Sequence, residues 1–301
     1  MTTAALDLKD LLRSAQLPAL PQSAIRLLEL SQDPDNGPVE FAVPIEADPG
    51  LTGQVLKFVN SSYFGFSREI SSVKLAITLV GIRTIKNFAL WSAVFSLMPN
   101  PRCGPFDLKS LWQDSLRRAL FARNFGKLLG MKDAEECFAA ALLQDMAIPL
   151  LAKEIPQRYL KLFQDRSEGL ERLSDLEQAN FGWTHADAAA FMCRSWSLPE
   201  EFAVLIESHC QLEELVANSG KFPGKLAVAL SSLLPATSDK EWNDRDRFLA
   251  AFNQLTAGKG TTAPCLMAEV DKAFLEFAPV LRLATPSKTL AQYLEETPAA
   301  V

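Results

Sequence analysis

Two histidines, His185 and His209, and one acid set in an apolar stretch, Asp145, are the side chains of this sequence best suited to chemistry. Imidazole exchanges a proton near neutral pH or ligates a metal. A carboxylate in apolar surroundings must find a partner or shift its pKa upward. Between Cys137 and Ala152 the only polar side chains are Gln144 and Asp145. On a structural reading, Asp145 accepts hydrogen bonds from backbone amides or from an arginine such as Arg117 or Arg118. Pro149, four residues on, cannot donate to the Asp145 carbonyl, so a local helix break is expected there. His209 shares a helical stripe with Phe202, Leu205 and Ile206 and is expected to point inward, while His185 opens a helix just after Thr184. An inward histidine is ordinarily a hydrogen-bonded core residue, and a pocket role is the alternative. Neither has a serine or cysteine at nucleophile spacing, so no triad is proposed.

Other patterns are less specific. The five cysteines form no CxxC pair and are odd in number, which reads as reduced thiols and not as a disulfide frame or zinc site. Arg117, Arg118, Arg123 and Lys127 lie along one helix and read as a solvated face in preference to a phosphate site. The segment Asn60-Ser61-Ser62-Tyr63-Phe64-Gly65-Phe66 puts three aromatics in four residues after a helix end. Either Asn60, Tyr63 and Phe64 contact a partner, or Asn60 caps the helix and the aromatics plug a groove, as large apolar side chains tend to do.

The elements that must carry these residues are helices. Apolar residues recur at helical spacing, and sustained alternation is hard to find. Helical stretches are expected over Leu108–Leu129, Ala134–Leu151, His185–Trp196, Pro199–Val216 and Lys225–Leu234, the second with its break at Pro149. Pro99-Asn100-Pro101 and Gly104-Pro105 mark a boundary, giving an N-terminal helical lobe of residues 1–102 and a second of residues 103–301. The residues from Glu295 onward read as a frayed end. With 301 residues, 48% of them apolar, the chain is long enough for a substantial core. The net charge of −6 argues against a nucleic-acid binder. The first residues lack the long apolar stretch of a signal peptide, and no stretch suits a bilayer span, so a cytoplasmic location is expected.

Three stretches carry a family resemblance: LPALPQSAIRLLEL from Leu17; DPGLTGQVLKFVNSSYFGFSREISSVKLAITLVGI from Asp48; and, further on, the Trp112–Ser115 turn, AALLQDMAIPLL, FGWTHAD and IESHC. They resemble the HDOD family, with NSSYFG the most specific piece. The resemblance implies a two-lobed, all-α fold whose second lobe is similar to HD-type metal phosphohydrolases, and a role as a bacterial signalling output or adaptor domain.

An HD hydrolase uses a His, a His-Asp pair and a distant Asp to hold metals that activate water. By the resemblance these fall at Asp114, at Gln144-Asp145, and in the Lys225–Leu234 helix, which offers only Ser231 and Ser232. Two carboxylates without imidazoles would suit Mg²⁺ or Ca²⁺ better than a transition metal. The expectation is therefore a vestigial pocket around Asp114, Gln144, Asp145, His185 and His209, with no metal, no cofactor and no catalysis. Signalling proteins are the expected partners, without nucleic acid or membrane. Two other readings stay open: a nucleotide or cyclic-dinucleotide sensor, which needs basic or aromatic groups converging on the pocket, and a degenerate hydrolase, which needs a metal. The adaptor reading calls for an exposed apolar patch.

Overall fold

The computed structural model describes residues 6–15, 17–132, 134–166, 169–218 and 221–296. These residues form helices and connecting turns, with no strand among them. The chain divides into two compact units, Pro18–Leu97 with Lys272–Thr285, and Met98–Asp271 with Met1–Leu17 and Pro286–Val301. This differs from the single cut expected after residue 102. The N-terminal helix α1 (Leu8–Ser14) packs in the larger unit, where the Trp183 indole N–H donates to the Leu6 carbonyl at 2.8 Å. Proline and glycine clusters mark where the backbone turns, not which core a helix joins.

The smaller unit holds α2 (Gln22–Leu30), α3 (Pro38–Glu46), α4 (Pro49–Val59), α5 (Val73–Val80), α6 (Ile82–Leu97) and the end of α17 (Ala263–Phe277). Asp48 caps α4 by accepting the Leu51 N–H at 3.0 Å, with Pro49 at the first helical position. Phe58 anchors the core, stacking on Phe88 at 4.0 Å and meeting Phe64 and Phe277 edge-on at 5.0 and 4.9 Å.

In the larger unit α7 (Leu108–Leu128) is buried along most of its length against α8 (Glu135–Leu143) and α15 (Pro223–Ser231). Gly126 permits that approach, since a β-carbon there would sit 3.2 Å from the Ala134 β-carbon and from Met131 Sδ. Phe121 and Phe125, one turn apart on α7, meet Phe248 and Phe252 of α16 (Arg245–Leu255), each at 5.5 Å. The remaining helices are α9 (Ala147–Glu154), α10 (Pro156–Asp165), α11 (Leu173–Phe181), α12 (His185–Ser195), α13 (Glu200–Glu207), α14 (Leu212–Ala217) and α18 (Leu290–Glu295). Glu295 thus closes a helix capped by Thr289; residues 297–301, the rest of the end expected to fray, lie outside the described residues.

The Ala134–Leu151 stretch carries the break expected from Pro149, Pro199–Val216 is broken where one helix was expected, and both breaks carry site residues. Ala134–Leu151 divides at Gln144-Asp145-Met146. Pro149 leaves the Asp145 carbonyl without its usual donor, and the Ile148 N–H donates to it instead at 3.1 Å. Pro199–Val216 divides at a 3-10 turn, Ser208–Cys210. The Ser208 hydroxyl donates to the Val204 carbonyl at 2.8 Å and the His209 ring to the Ile206 carbonyl at 2.6 Å, local bonds that compete with the helical ladder.

Candidate functional site

The larger unit encloses a cavity of about 610 Å³ lined, among others, by Asp114, Arg118, Asp145, His185, His209 and Cys210. Four of the five residues expected in a vestigial pocket thus meet at one place. Gln144 does not line it. It lies behind, fully buried, taking the Ser231 hydroxyl at 3.4 Å, with no hydrogen bond to its side-chain nitrogen among the described residues.

Each lining group is positioned by a specific piece of backbone. Asp114 and Arg118 are one turn apart on α7, so both face the α8–α9 break, where Asp145 sits 3% exposed. The Arg118 guanidinium pairs with Asp145 Oδ2. Burial opposes charge on Asp145, but Arg118 and the His185 ring outweigh it and hold the carboxyl well below the usual range. Asp114 accepts the Thr237 N–H at 2.7 Å. Its burial raises its pKa to about 6, against the pull of Arg118 and of that amide.

His185 is the first residue of α12, where Thr184 and Asp187 form a capping box. Its Nδ1 lies 2.7 Å from Glu177 Oε2, which also takes the His185 backbone N–H at 2.7 Å. The other Glu177 oxygen accepts the Tyr159 hydroxyl at 2.6 Å. This leaves His185 Nε2 aimed at Asp145 Oδ1, 3.3 Å away, and at His209 Nε2, 3.1 Å away. Burial opposes a proton on His185, but Glu177, Cys210 and Asp145 together raise its pKa well above the ordinary histidine value. Because the Ile206 carbonyl only accepts, His209 carries a proton on Nδ1 and turns Nε2 to the cluster. Burial also opposes ionisation of the Cys210 thiol, yet the two histidine rings bring its pKa down to about 6.

Among the described residues, His185, His209 and Cys210 form a group able to hold a metal ion, their donor atoms all within 4.8 Å of one another. Neither Cys210 nor Glu177 was expected at the site. The adjacent His209-Cys210 pair is a signal that a search for CxxC spacing passes over. Glu177 stands in a polar stretch and nothing in its spacing marks it.

The arginines do not form a solvated face. Arg117 and Arg123 are buried, the first donating to the Lys288 carbonyl, the second lying over the Phe138 ring at 5.0 Å; only Lys127 is exposed. Their carbonyl, carboxylate and ring partners come from other segments of the chain, which a one-helix pattern does not display. Nor is the cavity basic. Its lining carries six carboxylates against three guanidiniums. Each guanidinium has a carboxylate beside it: Arg118 at Asp145, Arg166 at Asp239 and Arg172 near Asp244.

The NSSYFG loop belongs to the smaller unit. The Asn60 side chain clasps Ile70, donating to its carbonyl and accepting its N–H, both at 2.7 Å. Tyr63 and Phe64 are half-buried, with Tyr63 meeting Phe277 at 4.9 Å, and Phe66 is exposed.

The HDOD domain family model matches residues 17–212 of this chain. The chain belongs to the HDOD family. An uncharacterized protein of Treponema pallidum (strain Nichols) is 23% identical over 201 residues, which cover 66% of this chain but only 39% of that protein. An HDOD domain protein with unknown function from Geobacter sulfurreducens superposes with a TM-score of 0.70 at 21% identity, over 92% of this chain and 99% of that one. A protein of Shewanella amazonensis SB2B, described provisionally as a phosphohydrolase, gives 0.68 at 23% identity, over 94% and 99%. One from Marinobacter aquaeolei VT8, described provisionally as a signal transduction protein, gives 0.62 at 20% identity, over 93% and 65%. These likenesses establish the HDOD fold. No described helix is long and apolar enough to cross a membrane.

Proposed function

We propose that this HDOD chain is a non-catalytic signal-transduction output module that acts through contacts with other proteins. The observation that carries this reading is the Arg118–Asp145 pair. Where the HD pattern uses a metal to balance its carboxylates, an arginine of the same chain balances the one acid retained. Gln144, in place of a ligating imidazole, is sequestered, and Ser231 is spent on the Val228 carbonyl at 2.6 Å and on Gln144. Hydrolysis needs a cation with an open position for water, and the HD positions do not offer the ligands for one.

A partner surface is available in the smaller unit. Val39 and Val43 on α3 and Leu75 and Leu79 on α5 are 49%, 63%, 44% and 46% exposed. They form two i,i+4 pairs on helices that pack together. Exposed apolar groups clustered in this way mark interaction sites. The net acidity of the cavity lining weighs against a nucleotide sensor, whose phosphates call for unpaired basic groups.

The test has two arms. The purified chain, supplied with Mg²⁺ or Mn²⁺, is expected to leave cyclic dinucleotides and a chromogenic phosphodiester intact. Chelator-sensitive turnover that Asp145→Ala abolishes would overturn the reading. In capture from native cells, a Val43→Asp/Leu79→Asp double variant is expected to keep its stability within about 0.5 kcal/mol, as surface changes do, and to lose proteins that the parent chain retains. Identical retention by both would remove this surface as the docking face.

A further inference from the structure

We infer that His185, His209, Cys210 and Asp145 together form a binding site for one divalent transition-metal ion of the zinc class, held in a closed, tetrahedral, non-hydrolytic shell. The site lies off the HD positions except at Asp145, and goes beyond the signalling role proposed above.

The geometry is that of a ligand set. In a tetrahedral zinc site, nitrogen and oxygen donors about 2.0–2.1 Å from the ion stand about 3.3 Å from one another. Here His185 Nε2 lies 3.1 Å from His209 Nε2 and 3.3 Å from Asp145 Oδ1, and the His209–Asp145 edge is 3.9 Å. Cys210 Sγ lies within 4.8 Å of one ring nitrogen of each histidine. The donors converge from three separate pieces of backbone: the start of α12, the 3-10 turn, and the α8–α9 break.

The surroundings of the donors point the same way. A metal-bound histidine usually gives its other ring nitrogen to a carboxylate or a backbone carbonyl, which sets the tautomer and aims the ring. Both arrangements occur: His185 Nδ1 on Glu177, and His209 Nδ1 on the Ile206 carbonyl. The carboxylate is itself fixed by Tyr159, and the Ser232 hydroxyl donates to the His209 carbonyl at 3.0 Å. Two buried imidazole nitrogens this close need a proton or a cation between them. A proton shared from His185 serves in the metal-free chain, and a cation serves better, because it also takes the thiolate. The two Asp145 oxygens divide the work, with Oδ2 on Arg118 and Oδ1 turned to the cluster. Soft sulfur with imidazole selects zinc-like ions over Mg²⁺ or Ca²⁺. Four protein donors leave no open position for water, which marks a structural or regulatory site.

The test is a Co²⁺ and Zn²⁺ titration of the full chain after chelator treatment. One equivalent of Co²⁺ is expected to bind with the intense visible bands of a tetrahedral ion and a near-ultraviolet thiolate band. Zn²⁺ is expected to displace it and raise the Tm. Cys210→Ser is expected to lose the thiolate band and bind at least about 10-fold more weakly, the lower end of what loss of a supporting partner alone does. Cys265→Ser, at an exposed cysteine, is expected to behave as the parent. His209→Gln, checked for helicity by circular dichroism, supplies a second ligand deletion if Cys210→Ser fails to fold. Failure to take up either ion, a six-coordinate spectrum, or a spectrum unchanged in folded Cys210→Ser would overturn the site. Metal uptake with phosphodiester turnover would instead overturn the non-catalytic reading and leave the ion bound.

Discussion

Arg118 places its guanidinium on Oδ2 of Asp145, two buried charges from α7 and the α8–α9 break meeting in the larger unit. Burial works against ionisation of both, and their mutual attraction overcomes it in both directions, raising the Arg118 pKa and lowering that of Asp145. Breaking a buried pair on one side strands the other charge, at a cost of about 3–5 kcal/mol, whereas replacing both partners by groups of matching shape is far milder. Arg118→Met is therefore expected to destabilise the chain by about that amount in urea unfolding, and Arg118→Met/Asp145→Asn to recover part of it. A single Arg118→Met change that leaves the unfolding midpoint in place would show the pair to be solvent-screened and would remove the basis for calling Arg118 the internal counter-ion.

The Tyr159–Glu177–His185 relay yields a prediction that separates orientation from simple packing. Burial opposes a proton on His185, and Glu177 is the first of the groups that restore it. Glu177→Gln keeps the shape and removes the charge. In the chelator-treated chain, an NMR titration of the imidazole is expected to show His185 losing its proton at a lower pH in Glu177→Gln than in the parent. Tyr159→Phe removes only one neutral donor and is expected to cost about 1 kcal/mol of stability with a much smaller change in that titration. Equal His185 titration in the parent and Glu177→Gln would mean that Asp145 alone holds the proton.

These residues show which parts of the site a sequence displays. Asp145 is conspicuous because it is charged in an apolar run, and Pro149 announces the break that turns it inward; both are local facts. His209 points inward as its stripe suggests, but from a 3-10 turn set by Ser208 and by its own ring, not from the helix the periodicity implies. Glu177 is invisible, because its role depends on α10, α11 and α12 meeting, and its neighbours in sequence are polar. The arginines mislead for the same reason: their spacing describes one helix, while their partners Asp145, Lys288 and Phe138 come from distant segments of the chain. Helix content follows from periodicity, but the assignment of α1 to the larger unit rests on contacts such as Trp183 with Leu6, 177 positions apart.

Asp114 gives the pH-dependent prediction. Its carboxyl titrates at about 6 in the folded chain because burial disfavours its charge, and near the ordinary value of about 3.9 once unfolded. The folded state therefore binds the proton more tightly. The contribution to stability is complete below about pH 4, declines as pH rises through the window between the two values, and is gone above about pH 6. Two units at about 1.4 kcal/mol each correspond to about 3 kcal/mol. Asp114→Asn does not titrate, and its side-chain oxygen still accepts the Thr237 N–H. Relative to the parent, the variant is therefore expected to gain about 2 kcal/mol of that between pH 4 and pH 7 in urea unfolding. Asp145→Asn is instead expected to show a nearly constant deficit across that window, since the Asp145 carboxyl is held low and its stabilising charge is lost only below about pH 4. A stability difference between Asp114→Asn and the parent that stays flat from pH 4 to pH 7 would show Asp114 to be ionised in the folded chain, with Arg118 shared between two carboxylates in place of one.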